Sequence, residues 1–209
     1  MILYDYFRSS AAYRVRIAIE LKGLRVARRP VHLARGEQQR PEYRAKNPQA
    51  LVPTLELGDG TTLTQSLAII DYLDAIAPQP ALLPAEPVLA AKVKAVALAI
   101  ACDVHPLTNL RVMQYLESRL NADPQELDTW RRHWILNGLE AVESLIAPTP
   151  FCFGASPSLA DVCLIPQLFN AHRFAISFDH LPNIMAVEAA CRDLPAFRAA
   201  HPQAQADAE

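Results

Sequence analysis

Pro78, Pro80, Pro84 and Pro87 fall within one short stretch and divide the chain into two parts that obey different periodicities. Proline lacks a backbone N–H and fixes φ, so neither a helix nor a central strand runs through such a stretch. Before it, short β-branched and aromatic runs alternate with helical patterns. After it, every long segment is helical and no strand signal persists. With 209 residues, 51% apolar and 20% charged, the chain can bury a core on each side of the break.

In the first part, residues 2–7 read as a short buried strand. Arg8-Ser9-Ser10 breaks that pattern. From Ala11 the chain turns helical, with Ala11, Val15, Ala18 and Ile19 on one stripe, punctuated by Arg14, Glu20 and Lys22, and Gly23 closes the helix. Residues 26–33 give a second strand and 41–46 a short helix stopped by Asn47-Pro48. Residues 51–57 give a third strand, and Gly58-Asp59-Gly60 turns it into a fourth at 61–63. Ser66 is expected to cap a helix with Leu67, Ile70 and Leu73 on its apolar face. The order βαβαββα implies a mixed four-stranded sheet. Beyond the break, helices are expected at 88–120, 124–146, 159–171 and 184–192, forming a bundle. The expected division is a sheet-bearing domain at 1–80, a linker at 81–87 and an all-helical domain at 88–209, ending in a polar tail at 203–209.

The formal net charge of −2 offers no basic excess for nucleic acid or anionic lipid. The N-terminus lacks the basic and apolar regions of a secretory signal, and Lys92 and Lys94 interrupt the longest apolar stretch. A soluble cytoplasmic protein without membrane or nucleic-acid partners is expected. Cys102, Cys152, Cys163 and Cys191 form no C-x-x-C pair and show no zinc spacing with histidine, so they read as scattered reduced thiols and no metal is expected.

Three segments carry chemistry. Arg8-Ser9-Ser10 stands where a strand gives way to a helix, whose free N–H groups and dipole stabilise an anion such as a thiolate. A serine there either donates to that anion or serves as an ordinary cap. Val52-Pro53 opens a strand, where proline fits poorly. One solution is a cis peptide at the strand's start, which leaves the backbone of Val52 to pair with a bound peptide, although the base rate of X-Pro bonds favours trans. Gln65-Ser66 begins another helix and suits a carboxylate. A fourth segment, Ser158-Leu159-Ala160-Asp161, is a capping box and belongs to folding.

The order of these segments adds a further signal. The run from Tyr4 to Ala18, with Arg8-Ser9-Ser10 before Tyr13-Arg14-Val15-Arg16-Ile17-Ala18, resembles the signature of the zeta-class glutathione transferases. Asn47-Pro48, Val52-Pro53-Thr54-Leu55, Gln65-Ser66-Leu67-Ala68-Ile69-Ile70, Leu82-Leu83-Pro84, the segment from His105 to Arg111, that from Ala160 to Gln167 and Asn170-Ala171-His172-Arg173-Phe174 follow in the family's order. The resemblance implies a thioredoxin-like domain plus a helical domain, a homodimer and glutathione as cofactor. It implies isomerisation of a small dicarboxylic cis-enone: maleylacetoacetate of aromatic amino acid catabolism, with maleylpyruvate as the alternative. Conjugation or dehalogenation of small electrophiles, and a non-catalytic interaction module, are the other readings.

Carried over by position, the resemblance implies that Ser9, with Ser10 beside it and Arg8, serves catalysis at the glutathione sulfur. Val52 and Pro53 would meet its cysteinyl part, Gln65 and Ser66 its γ-glutamyl end, and Gln38 or Gln39 its glycyl end. His105 and Asn109 would complete the cofactor contacts, with capping of a helix kinked before Pro106 as the other reading of His105. Because a guanidinium fork matches a carboxylate, Arg8, Arg111 and Arg173 are the candidates to converge on the substrate carboxylates. The family commonly has cysteine where this chain has Ala11, which weakens dehalogenation more than isomerisation.

Overall fold

A computed structural model describes residues 1–209, which form two compact units. The first comprises Met1–Ala81 together with Asp193–Glu209, the second Leu82–Arg192. In the first, β1 (Ile2–Asp5), α1 (Ser10–Leu21), β2 (Ala27–Pro30), α2 (Pro41–Arg44), β3 (Thr54–Glu56), β4 (Thr62–Thr64) and α3 (Ser66–Ile76) follow the expected βαβαββα order. Two 3-10 turns, Leu33–Arg35 and Glu37–Gln39, lie between β2 and α2. The sheet order is β2-β1-β3-β4, with β1 parallel to β2 and the other neighbours antiparallel.

The strands are shorter than their apolar runs. Tyr6 and Phe7 extend the hydrophobic pattern of β1 but leave the ladder. Their carbonyls accept from the Arg16 guanidinium, at 3.4 Å from Nη1 and 2.9 Å from Nη2. Their rings join Tyr4, Val31, Tyr43 and Val52 in one core cluster. The hairpin between β3 and β4 forms as expected: Thr61 N–H donates to Asp59 Oδ1 at 2.9 Å, and Gly60 takes φ +85°.

The register fixes what emerges at one end of the sheet. Tyr4 faces Thr54, Thr54 faces Thr64, and Asp5 faces Pro30. The chain leaving β1 toward Ser9, that leaving β2 toward Gln38, that entering β3 from Val52 and that leaving β4 into Gln65 therefore share this end. α1 is buried on almost every side, Arg14 and Arg16 included. Arg16 Nη1 pairs with the buried Asp5 carboxylate at 3.3 Å, and Arg28 reaches the same carboxylate from β2. Burial pushes the Asp5 carboxyl up, opposed by Arg28 and Arg16, and pulls Arg16 down to about 10.

In the second unit, α4 (Pro87–Leu98), α5 (Leu110–Leu120), α6 (Pro124–Leu145), α7 (Leu159–Arg173) and α8 (Pro182–Arg192) are helical as the pattern requires. The single helix expected at 88–120 is broken. A π-helical turn at Ala99–Val104 and a 3-10 turn at His105–Thr108 separate α4 from α5. Pro106 supplies no N–H to continue the ladder, and Asn109 restarts it by accepting from Val112 N–H at 3.2 Å. The capping box at the start of α7 is present: Asp161, fully buried, accepts from Ser158 N–H and Cys152 N–H, both at 2.8 Å.

The chain then returns to the first unit through α9 (Pro195–Ala200), which sequence periodicity did not distinguish, and a 3-10 turn at Pro202–Ala204. This corrects the expected 88–209 boundary. Arg16 Nε holds the Ala200 carbonyl at 2.9 Å, and Asp207 accepts from Phe7 N–H at 3.0 Å, so the last residues pack on α1 and the sheet. The expected linker at 81–87 is also part of a folded unit, since buried Leu82 accepts from Leu159 N–H at 2.8 Å. No helix is long and apolar enough to cross a membrane.

Candidate functional site

Ser9 is the N-cap of α1, with φ −69° and ψ 116°. Its Oγ accepts from Ala12 N–H at 3.2 Å, which realises the capping reading. A hydroxyl also carries one proton to donate, so the cap leaves Ser9 able to serve an anion in front of the helix. Ser9 is half-buried, Ser10 is buried as the first helical residue, and Arg8 is exposed, its guanidinium 4.8 Å from the Phe7 ring centroid.

Val52 precedes Pro53 across a cis peptide bond. The Val52 side chain is buried, yet its backbone makes no hydrogen bond to another backbone group. The loop ahead of it is tied down by Asn47 Nδ2 and Tyr43 Oη, which donate to the Leu51 carbonyl at 2.7 and 2.6 Å. Burial raises the Tyr43 hydroxyl to about 12, so it stays a donor.

At the start of α3 the structure corrects one expectation. Gln65, not Ser66, occupies the N-cap position, and it makes no capping bond through its side chain. Gln65 takes φ +67° and ψ 121°, a conformation that costs a non-glycine residue about 1–3 kcal/mol and collects at ligand clamps. Its Nε2 donates to Gln49 Oε1 at 2.9 Å. Ser66 is the first helical residue, and its Oγ accepts from Arg14 Nη1 at 3.1 Å in the interior, joining α1 to α3. Arg14 therefore braces the start of α3 from the interior, a contact that the helical pattern did not single out.

Gln38 lies in the second 3-10 turn with Oε1 buried and without a partner. Gln39 is exposed and accepts weakly from Arg44 at 3.5 Å. A buried acceptor left unpaired costs its full desolvation, so Gln38 Oε1 is suited to accept from a ligand's N–H. Together, Ser9, Val52, Gln65 and Gln38 offer a hydroxyl, open backbone groups, two helix starts and an unpaired acceptor at one sheet end. This set fits a small peptide bearing a thiol and carboxylates.

The remaining expected residues belong to the second unit. His105 is half-buried and opens the 3-10 turn, its carbonyl accepting from Thr108 Oγ1 at 3.4 Å. Asn109 commits its Oδ1 to capping α5, which leaves Nδ2 for another partner. Arg111 is exposed on the first turn of α5. Arg173, at the end of α7, and Arg131 both lie against the Phe174 ring, at 4.4 and 4.9 Å. All four cysteines lie in this unit. Burial pushes the Cys152 and Cys191 thiols far up, so they are inert as nucleophiles.

The sheet topology and its ligand-holding end define a thioredoxin-like domain built to bind a peptide thiol, followed by a helical bundle. Known proteins narrow that class. The N-terminal domain of the glutathione S-transferases matches residues 3–81, and their C-terminal domain matches residues 124–206. A Vibrio cholerae protein named as a probable maleylacetoacetate isomerase is 46% identical, over 100% of this chain and 98% of its own length. A holo structure of maleylpyruvate isomerase, described as a bacterial zeta-class glutathione S-transferase, is 41% identical with a TM-score of 0.96 over 100% of both chains. The maleylacetoacetate isomerase of Methylobacterium extorquens AM1, crystallised with malonate and glutathione, is 36% identical with a TM-score of 0.97, again over 100% of both chains. The chain belongs to the zeta class of the glutathione S-transferase family.

Proposed function

We propose that this protein catalyses the glutathione-dependent cis–trans isomerisation of maleylacetoacetate to fumarylacetoacetate. The observation that carries this reading is the gathering of Ser9, Val52, Gln65 and Gln38 at one end of the sheet, in a unit that has no cysteine of its own. Bound glutathione supplies the thiolate, which adds reversibly to the enone and lets the former double bond rotate. The chain's residues prepare that sulfur and hold the substrate. The Ser9 hydroxyl donates its proton toward the sulfur while Oγ stays fixed by Ala12 N–H, and the α1 dipole favours the ionised form. The backbone of Val52 pairs with the cysteinyl part beside Pro53. Gln65 and Ser66 hold the γ-glutamyl carboxylate at the start of α3, and Gln38 Oε1 accepts from the amide N–H of the glycyl residue. Ser10, the first residue of α1, stands beside Ser9 in the same proposed catalytic and cofactor-binding group.

Arg8, Arg111 and Arg173 are the proposed carboxylate ligands, because a guanidinium fork matches a carboxylate with two parallel hydrogen bonds. His105 and the free Nδ2 of Asn109 belong to the proposed cofactor contacts. Maleylpyruvate is the second reading, favoured by the maleylpyruvate isomerase among the matching structures. We also infer a homodimer in the cytoplasm. The exposed Leu98, Leu110, Tyr115 and Leu120 support a self-contact, and sedimentation gives the test.

Loss of enone absorbance, followed with each substrate in the presence and absence of glutathione, tests the function. Turnover is expected only with glutathione. Ser9→Ala is expected to cut kcat/KM by about a hundredfold, the usual loss for one preorganised donor at a developing anion. Equal rates without glutathione, or full activity in Ser9→Ala, would overturn the mechanism.

A further inference from the structure

The loop that delivers Ser9 is held from two directions. Arg16 takes the carbonyls of Tyr6 and Phe7, and Ser9 N–H donates to the Tyr6 carbonyl at 2.9 Å. Another donor of this loop, Phe7 N–H, is supplied with a partner from the far end of the sequence: Asp207 Oδ2 at 3.0 Å. Phe7 is buried and the bond itself part-buried, so losing Asp207 would cost this donor its protein partner. The same segment reaches the second ligand loop. Glu209 Oε1 meets His32 Nε2 at 3.1 Å and Arg35 Nη2 at 3.0 Å, just ahead of the turn that bears Gln38. The His32 ring lies 5.0 Å from that of Tyr6, so the two loops touch under the strap. Gln205 roots it, donating to the carbonyls of Ala199 and His201 at 2.8 and 2.6 Å and accepting from Arg28.

We propose that Asp207 is a positioning residue for glutathione, with Glu209 in support: through the backbone of Phe7 it sets where the Ser9 hydroxyl stands. The proposal rests on the reading that Ser9 serves the glutathione sulfur. Glu209 makes the smaller contribution, since its pairs are exposed and screened by water. Asp207 is half-buried and accepts a backbone proton, the kind of charge-assisted bond that holds a turn.

The test compares Asp207→Ala, Asp207→Asn and Ser9→Ala in the full chain. Three quantities are read: KM for glutathione, kcat at saturating glutathione, and the ultraviolet titration of the bound thiol. Asp207→Ala is expected to raise KM by about tenfold, as for loss of one charge-assisted bond, and to move the thiol titration toward that of free glutathione. Asp207→Asn keeps an oxygen that can accept from Phe7 N–H and is expected to restore most of both. A merely structural role would lower thermal stability in Asp207→Ala and leave the thiol titration in place, which would overturn the proposal. If Ser9→Ala shifts the titration and Asp207→Ala does not, positioning by the strap is wrong while the function stands. If neither shifts it, the assignment of Ser9 falls, and the strap's role falls with it.

Discussion

Arg14 and Arg16 have the same local sequence surroundings as any charged residue that punctuates an amphipathic helix, yet both are buried. Their partners decide this. Ser66 lies 52 positions from Arg14, and the Ala200 carbonyl lies 184 from Arg16. No periodicity carries such information. Ser9, by contrast, was legible as a helix start, because a small hydroxyl between an apolar run and a helical stripe is a typical N-cap. His201 belongs with the illegible residues, and it gives a pH prediction. Burial, then Arg16, lower its pKa below the ordinary value, and its Nδ1 accepts from Gln203 N–H at 3.2 Å, a bond only the unprotonated nitrogen can make. On acidification the unfolded chain therefore takes up this proton first. The stability lost begins to appear as pH falls through about 6.5 and is complete once the lower folded value is passed. His201→Gln is expected to flatten the fall of the urea-unfolding midpoint as pH drops below about 6.5; an unchanged acid slope would refute this.

Among the elements, strands and helices in the first unit were readable from alternation and caps, and their limits were not. The start of α3 shows why. Propensity favours Ser66 as the cap, but Gln65 holds the position with a positive φ that only tertiary contacts sustain. The broken helix between Leu98 and Leu110 is packed closely against α6. Gly138 of α6 lies so close to the π-helical turn that an added Cβ would stand 2.1 Å from Val104 Cγ2. Valine is stiff at χ1 and cannot swing away cheaply. Gly138→Ala should gain about 1 kcal/mol of helix propensity if space allowed. Overpacking is expected to reverse the sign and leave the variant about 1–3 kcal/mol less stable in urea unfolding. A stabilised variant would show that this turn yields instead of resisting.

At the scale of the whole molecule, the change of periodicity at the proline-rich stretch was enough to tell a sheet-bearing part from a helical one. The return of the last residues to the first unit was not. A polar, alanine-rich stretch reads as a loose tail, and its partners Phe7, His32 and Arg35 lie at the opposite end of the sequence. The proposed cofactor adds an equilibrium prediction. Glutathione binds the folded chain and not the unfolded one, so at a hundred times its Kd it is expected to add about 2.7 kcal/mol of stability. A thermal-shift series over glutathione concentration checks this, and a flat series would argue against binding at the sheet end.

The pairing of Tyr4 with Thr54 and of Thr54 with Thr64 has an evolutionary corollary. Hydrogen-bonded ladders shift only in whole-residue steps of about 3.3 Å, and each single step turns inward-facing groups outward. Loops may be lengthened or exchanged for a new substrate, but the proposed anchorage of the sulfur cannot drift by degrees. It is inherited intact, or lost together with the interior.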